Sequence, residues 1–384
     1  MEIKEQMDLY FGIVEDTRDK SYITYKMNDI LFIVLCGMLS GCTEIERIVE
    51  YAEEKIEFFQ KYIDINEIPC AATFYNILGL IKPSQLEISF LGILRNIFNK
   101  KEERQICIDG KTICSTATMK SHKKPMHIVT ALIADYGISF GQIVVESKSN
   151  EIPAVRKLIQ QLDIKGAIVT LDAMHCQKET AELIIKEGGD YVLQLKGNQG
   201  RFYEDVVAMF DEKFMDINDK EENYETYQTI EKSHGRIEKR TCLVLNEIEF
   251  FTDYIAEWKG LKKIFAVKRE VEKDGKKTKE ISCYLSSRNA TAEKLLNYTR
   301  KHWQIESFHW LLDMNYDEDE NRVIDKKIQE TLNIARKACI TMHKNYVANH
   351  KLKRKTIVGS MYRSLLNDGY LEDIIKYNCN NSII

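Results

Sequence analysis

Between residues 22 and 62 apolar positions recur at helical spacing, as at Ile45, Ile48, Val49, Ala52 and Ile56, and this period predicts α-helix. Thr43 followed by Glu46 has the pattern of a capping box at the start of that helix. The chain reads as all-helical to about residue 100, punctuated by Pro69 and Pro83, with further helices over 70–78 and 84–99. From 104 the pattern changes to period two and to wholly apolar runs, which predicts strands at 105–110, 127–134 and 138–146, the last two joined by a turn at Asp135-Tyr136-Gly137. A helix over 152–162 follows, with Pro153 in its first turn, where a missing N–H costs little. Then come a strand at 167–172, a helix at 177–187 stopped by Gly188-Gly189, a strand at 191–196 and a helix from about 200 to 213.

Three meandering strands followed by alternating helix and strand is the element order of an RNase H-like α/β fold. That fold needs a final helix, and the chain delays it. Residues 224–287 read as β structure, with strands at 227–231, 240–245, 264–269 and 281–287 and a hairpin turn in the Lys-Asp-Gly-Lys-Lys run at 273–277. A single long helix is expected from Thr291, and a helical stretch from about 327 to 375 closes the chain. The expected division is a helical N-terminal accessory domain (1–100), the first part of an RNase H-like core (101–213), a β-rich insertion (214–290), a helix completing the core (291–326) and a helical C-terminal tail (327–384).

With 384 residues, 44% hydrophobic and 30% charged, the chain is long enough for two or three domains and has no bias toward disorder. Its formal charge of −4 is unevenly spread: residues 1–100 carry 10 basic and 16 acidic residues, a net of −6, leaving +2 for the rest. Any surface for a polyanion is therefore expected as a local patch. Basic clusters occur at 120–124 and in the His350-Lys-Leu-Lys-Arg-Lys run; the acidic run Asp317–Glu320 reads as a helix end or solvated surface. The ten cysteines include no Cys-x-x-Cys pair, and several lie in apolar runs, so they read as reduced core residues rather than a zinc site. The most apolar segment, 30–42, is shorter than the roughly 20 residues that span a bilayer, and the acidic N-terminus lacks a signal core. A soluble cytoplasmic protein without membrane contact is expected.

Three carboxylates stand out in this order of elements. Asp109 and Asp172 end apolar strands, and Glu306 lies on the last helix of the core. Taken singly each reads more simply as a cap or a solvated residue. Taken together they suit a site that holds two divalent metal ions for phosphoryl transfer, with one carboxylate bridging. Lys111, Lys196, Asn198, Gln199, Arg300, His302 and Trp303 fall beside them and are candidate DNA contacts. His302, Trp303, Glu306, Trp310 and Asp313 share one helical face, which either meets the DNA end or packs the helix on the sheet. His175-Cys176 lacks the second His/Cys pair that a zinc site needs.

The run Lys148-Ser-Asn-Glu-Ile-Pro-Ala, the run Gly166-Ala-Ile-Val-Thr-Leu-Asp-Ala-Met-His-Cys-Gln, and Asp190-Tyr-Val-Leu-Gln-Leu-Lys-Gly-Asn-Gln resemble the core of the H-repeat-associated DDE transposases of bacterial insertion sequences. Arg300-Lys-His-Trp-Gln-Ile-Glu, with His309-Trp-Leu-Leu-Asp and Glu318-Asp, resembles the same family's C-terminal signature, and the segment to about 95 its accessory domain. The resemblance implies Asp109, Asp172 and Glu306 as catalytic triad, two Mg²⁺ or Mn²⁺ ions as cofactor, and the terminal inverted repeats of an element and target DNA as substrates. A homodimer on paired ends is expected with it. Related transposases carry Tyr and Arg seven and four residues before the glutamate and Lys seven after it; here these positions are Thr299, His302 and Asp313. Two other outcomes stay open: a transposition-inactive, host-adopted DNA-binding protein, and a metal-dependent nuclease without strand transfer.

Overall fold

The structure, a computed structural model, describes residues 2–98, 104–114, 125–145, 150–215, 224–233, 235–321, 323 and 325–380. The basic cluster at 120–124 and Lys148-Ser149 lie outside the described residues. Six helices come first: α1 (Ile3–Phe11), α2 (Met27–Leu39), α3 (Ile45–Glu54), the one-turn α4 (Ile56–Phe59), α5 (Ala71–Leu80) and α6 (Pro83–Phe98). Then follow β1 (Gln105–Ile113), β2 (Met126–Ile133), β3 (Ile138–Val145), α7 (Glu151–Gln161), β4 (Ile168–Leu171), α8 (Lys178–Lys186), β5 (Asp190–Leu195) and α9 (Arg201–Met215). The next stretch holds β6 (Tyr224–Ser233), β7 (Arg236–Leu245), the short α10 (Thr252–Ile255), β8 (Lys263–Lys273) and β9 (Lys276–Ser286). The chain ends in α11 (Ala292–His302), α12 (Gln304–Tyr316), α13 (Lys326–Asn349), α14 (Ile357–Leu366) and α15 (Asp368–Asn380).

The nine strands of the described residues join one mixed sheet in the order β3-β2-β1-β4-β5-β9-β8-β7-β6. β1, β4 and β5 are parallel neighbours, and β2 and β3 run antiparallel on one side. The segment from 224 to 286 extends this same sheet, because β9 pairs antiparallel with β5 and the other three strands follow as a meander. β8 and β9 meet in a two-residue turn in which Asp274 and Gly275 both have positive φ, at 50° and 72°, the turn that matches the twist of a hairpin. Register fixes two faces. One carries Ile106, Ile108, Val169, Leu171, Leu193 and Leu285 and packs under α7, α8 and α9. The other carries Gln105, Cys107, Thr170, Val192 and Phe265 and lies under α11, α12 and α13.

α2 has 11 of its 13 residues buried, and a helix apolar all round needs neighbours on every side. It finds them in α1, α3, α5, α13 and α14. α13 is buried at 17 of 24 positions and contacts α6, α2, α15 and β3, so it forms the centre of the helical layer. Among the described residues no single helix is long and apolar enough to cross a membrane.

Two local expectations change. The helix expected to open with a Thr43/Glu46 capping box starts one residue later, with Glu44 at the N-cap and no side-chain cap, while the Thr43 carbonyl accepts from Asn321 and Arg336. The single helix expected from Thr291 is two helices, broken at Trp303. His302 therefore ends α11 and Glu306 sits in the first turn of α12, so the two share no helical face.

Candidate active site

β1 and β4 are adjacent parallel strands, with Cys107 beside Thr170 and Ile108 beside Leu171. Asp109 continues β1 one step past this pairing, and Asp172 is the first residue past β4, in extended conformation at the start of a 3-10 turn over Ala173–His175. The two aspartates thus stand at one level on neighbouring strands, Asp172 where β4 ends and Asp109, contrary to the expectation that it ends its strand, in the middle of β1, which runs on to Ile113 along β2. α12 packs on β1 and carries Glu306 in its first turn. The three negative charges act on each other. Burial, with the charges of Asp172, Glu151 and Glu306, pushes the Asp109 carboxyl up to about 6, against the pull of the Gly110 N–H. Burial and Asp172 likewise raise Glu306.

Among the described residues no group of three or more His, Cys, Asp or Glu side chains is arranged to hold a metal ion. The fit to a hard divalent cation rests on the donors themselves: Asp109, raised by burial and by the charges of Asp172 and Glu306, Glu306, raised by burial and by Asp172, and Asp172 Oδ1, buried without a hydrogen-bond partner among the described residues. Oxygen donors that lack protein partners and repel one another are what such a cation stabilises.

Beneath the two aspartates, on the opposite face of the sheet, lies a cluster that the sequence did not single out for this role. Glu151, first residue of α7, is buried and accepts from His127 of β2 at 2.9 Å and from His175 of the 3-10 turn at 2.9 Å. Burial alone would raise the Glu151 carboxyl, but the two histidine hydrogen bonds and charges outweigh it and bring it down to about 2. His175 Nε2 is also 3.8 Å from Asp172 Oδ1, and His127 Nδ1 is 2.8 Å from Thr112 Oγ1. A Cβ on Gly110 would fall 2.5 Å from His127 and 2.7 Å from Glu151, so the residue after Asp109 has to be glycine. The sequence signals for this cluster were the two runs that carried the family resemblance, one containing Glu151 and the other His175.

The expected flanking residues divide into those turned inward and those left outward. Lys111, on β1, points under α12 and is only 12% exposed, paired with Asp313 of α12 and with Glu318 at 3.0 Å. Its ammonium is taken up inside the protein rather than offered to solvent. Glu318 is fully buried, with Arg336 at 3.8 Å and Asn333 donating at 2.6 Å, so the acidic run 317–320 is not a solvated surface at this position. Asp313, at the position where the resemblance implies Lys, is the acceptor for Lys111, so a lysine is present beside this helix but arrives from β1. His302 Nδ1 is 2.9 Å from Thr170 Oγ1, and burial lowers its ring to about 4, leaving it neutral at pH 7. His309 Nδ1 is 3.7 Å from Asp109 Oδ2, and burial first, with nearby lysines, lowers it to about 3.

Asn198 and Gln199 donate to the carbonyls of Ala173 and Cys176 at 2.8 and 2.6 Å, which ties the loop after β5 to the turn that carries Asp172. Cys176 is buried, and burial raises its thiol, so it is not a poised nucleophile. Lys196 is exposed beside them. Arg300, in the last turn of α11, pairs with Glu231 of β6 at 2.6 Å. Trp303 and Trp310 are 60% and 59% exposed, so they do not pack the helix on the sheet.

The chain matches a family model described as "Transposase DDE domain" over residues 100–342 and a second, described as "DDE_Tnp_1-associated", over residues 9–93. It is 33% identical to the "H repeat-associated putative transposase YhhI" of Escherichia coli (strain K12) over 383 residues, 98% of each chain. Similarity of the same extent links it to the "Putative protein YbfL" of that strain, at 33% identity and 98% of each chain. The "Putative transposase YncI" of Escherichia coli O157:H7 is 32% identical over 98% of this chain and 95% of its own.

Proposed function

We propose, for a chain that belongs to the transposase DDE domain family, that it binds the terminal inverted repeats of an insertion sequence, cuts the DNA there and joins the freed 3′-hydroxyls to target DNA. The observation that carries this reading is that Asp109 of β1 and Asp172 just past β4 stand at one level of adjacent strands, with Glu306 in the first turn of α12, and that the charges of Asp172 and Glu306 raise Asp109 and that of Asp172 raises Glu306. The run β3-β2-β1-β4-β5 followed by helices on its Asp109 face supports an RNase H-like core, with 224–286 as its β-rich insertion. Asp109, Asp172 and Glu306 are the residues that would hold two Mg²⁺ or Mn²⁺ ions, which when bound lower the pKa of the attacking hydroxyl or water and stabilise the leaving oxygen.

The protein's own part is placement. The parallel pairing of β1 and β4 fixes the spacing of the aspartates, and Asn198 and Gln199 hold the turn that carries Asp172. His302 and His309, kept neutral by burial, add no positive charge to compete with a cation for the carboxylates. A homodimer is part of the proposal, since two ends have to be paired before both are cut, and the cytoplasm is where such DNA lies.

The test is cleavage and joining of labelled element-end DNA with Mg²⁺ or Mn²⁺, comparing the intact protein with Asp172→Asn. Joined products that vanish in the variant are expected. Cleavage without joining would replace the proposal with a nuclease, and specific binding without cleavage in either protein would replace it with a DNA-binding remnant.

A further inference from the structure

Register places the hairpins β6-β7 and β8-β9 relative to the carboxylates. Leu171, Leu193, Leu285 and Ile264 are consecutive partners across β4, β5, β9 and β8, and Asp172 follows Leu171. Beyond this level β8 runs on to Lys273, so the two hairpins rise as a four-stranded blade past the same end of the sheet at which Asp172 sits. Arg269 lies four residues farther along than Asp172, about 13 Å at the usual strand rise.

The side chains of the blade alternate between its faces. Arg240 and Arg269 are direct cross-strand partners; two steps outward Glu238 stands opposite Glu231 and Val271; two steps further Arg236, Lys273 and Lys276 stand in one row. This face continues Phe265, Val267 and Cys242, which pack under α11, so it is the face on which Asp109 and Asp172 lie. Arg300 joins the blade to the site: it pairs with Glu231, which also accepts from Arg240 at 3.2 Å, and it stands six residues before Glu306.

Like charges directly opposite across strands destabilise a sheet. Here the fold neutralises few of them. Glu238, 3% exposed, takes Arg240 at 2.6 Å, Arg236 at 3.4 Å and Arg269 together, so one carboxylate serves three guanidiniums. One arginine would suffice to satisfy a buried glutamate. The other two are half exposed at 45% and 42%, and Glu280 stands opposite Arg269, but the outermost row of Arg236, Lys273 and Lys276 holds no carboxylate among the described residues, which leaves most of its charge for anions outside the protein. The opposite face carries five lysines, at 232, 239, 268, 277 and 279, of which Lys268 pairs with Glu270 and Lys277 with Glu272, but it does not lead to the carboxylates.

We infer that the face of the blade formed by Arg236, Arg240, Arg269, Lys273 and Lys276 is a track for the phosphate backbone of duplex DNA, leading one strand toward Asp109, Asp172 and Glu306. It rests on the proposed function and adds where the duplex lies. Guanidinium and ammonium groups four residues apart along β7 and β8, about 13 Å at the usual strand rise, meet phosphates and read no bases, so the contact is sequence-independent.

The experiment measures binding of a labelled duplex of about 40 base pairs and arbitrary sequence to the full-length protein over a range of salt. Two triple variants remove equal charge from opposite faces: R236A/K273A/K276A and K232A/K277A/K279A. Expected for the first are at least a tenfold loss of affinity and a salt slope smaller by about 2 to 3, near 0.9 for each phosphate that is no longer neutralised. The second should stay within twofold of the intact protein. The first variant should also melt no lower than the intact protein, since it relieves opposed cations; a purely structural role would lower it. Equal losses in both variants, a loss in the second alone, or no loss in either would overturn the inference while leaving the proposed function standing. Failure of the intact protein to bind any duplex would overturn both.

Discussion

Burial and the charges of Asp172, Glu151 and Glu306 bring the Asp109 carboxyl up to about 6, against an ordinary value of 3.8, so folding favours its protonated form. Between those two values Asp109 holds a proton in the folded chain that it has lost in the unfolded one, and its own contribution to stability falls as pH rises from about 4 to 6 and stays lower above. At about 1.4 kcal/mol per unit the fall is at most about 3 kcal/mol. His302, His309 and His343, whose rings burial lowers, act in the opposite sense across the same range, so the Asp109 contribution is read as a difference: the melting temperature of metal-free Asp109→Asn relative to that of the intact protein should rise between pH 4 and 7. Mg²⁺ or Mn²⁺ should raise the midpoint of the intact protein at pH 7 and do little for the variant. A difference between the two midpoints that does not change with pH would show that Asp109 is not strained by its neighbours. The Glu151 cluster makes its own prediction. Glu151→Gln keeps a group that accepts from one histidine but removes the charge that both share, so cleavage should need more metal while DNA affinity stays within about twofold. Gly110→Ala forces His127 and Glu151 apart and should cost about 2 kcal/mol or more of stability by overpacking. Urea titration and a metal titration of cleavage read the two effects separately.

α12 is held to β1 by Lys111, and this pairing decides how Glu306 meets Asp109. Lys111→Met would leave Glu318 buried with one cation at 3.8 Å instead of two, and loss of one partner from a buried pair costs about 3 kcal/mol. Asp313, 34% exposed, contributes less, so Asp313→Asn should cost under about 1 kcal/mol. A phosphate-binding Lys111 would lower the salt slope of DNA binding by about 1 on removal; the internal pairing predicts an unchanged slope with slower cleavage. The salt slope of Lys111→Met is therefore the deciding measurement. The same contact explains which parts of the site the sequence revealed. β1, β4 and β5 are covered on both faces, so their runs of Ile, Val and Leu were visible, and with them the aspartates that end β1's paired stretch and β4. Lys111 and Asp313 stand 202 residues apart, and only the packing of α12 on β1 makes them partners. Glu318 looked solvated because it sits among Asp317, Asp319 and Glu320, and its partners Asn333 and Arg336 lie on another helix. The break at Trp303 has neither Gly nor Pro to announce it; it arises where α11 follows the sheet and α12 turns to the helical core.

The helices before residue 98 and those after 304 bury one another. Phe32, Leu35 and Leu39 of α2, Ile48 of α3, Phe90 and Ile93 of α6, Phe308 and Leu312 of α12, and Leu332, Cys339 and Met342 of α13 belong to one hydrophobic cluster. Polar contacts cross the same boundary: Tyr316 donates to the Met38 carbonyl at 3.0 Å, and His343 Nε2 donates to that of Leu39 at 3.0 Å. Lys337 of α13 donates to Thr130 at 2.8 Å and Gln142 at 2.6 Å beneath the sheet, its pKa lowered by burial, while Glu87 of α6, raised by burial, faces it. Removal of residues 1–95 would strip the cover from α13, the helix on which α12 leans, and so from the support of Glu306. Such a truncation is not a clean test of which segment reads the DNA ends, because a failure to bind would follow from a failure to fold. The expected outcome is a shortened chain that is insoluble or lacks near-ultraviolet circular dichroism, and that regains both when residues 1–98 are co-expressed as a separate chain, since the contact between them is an apolar core rather than a tether. A truncated chain that folds alone, with a cooperative melt and an intact near-ultraviolet spectrum, would show that α13 is stable without α2 and α6 and that the N-terminal helices are an independent unit.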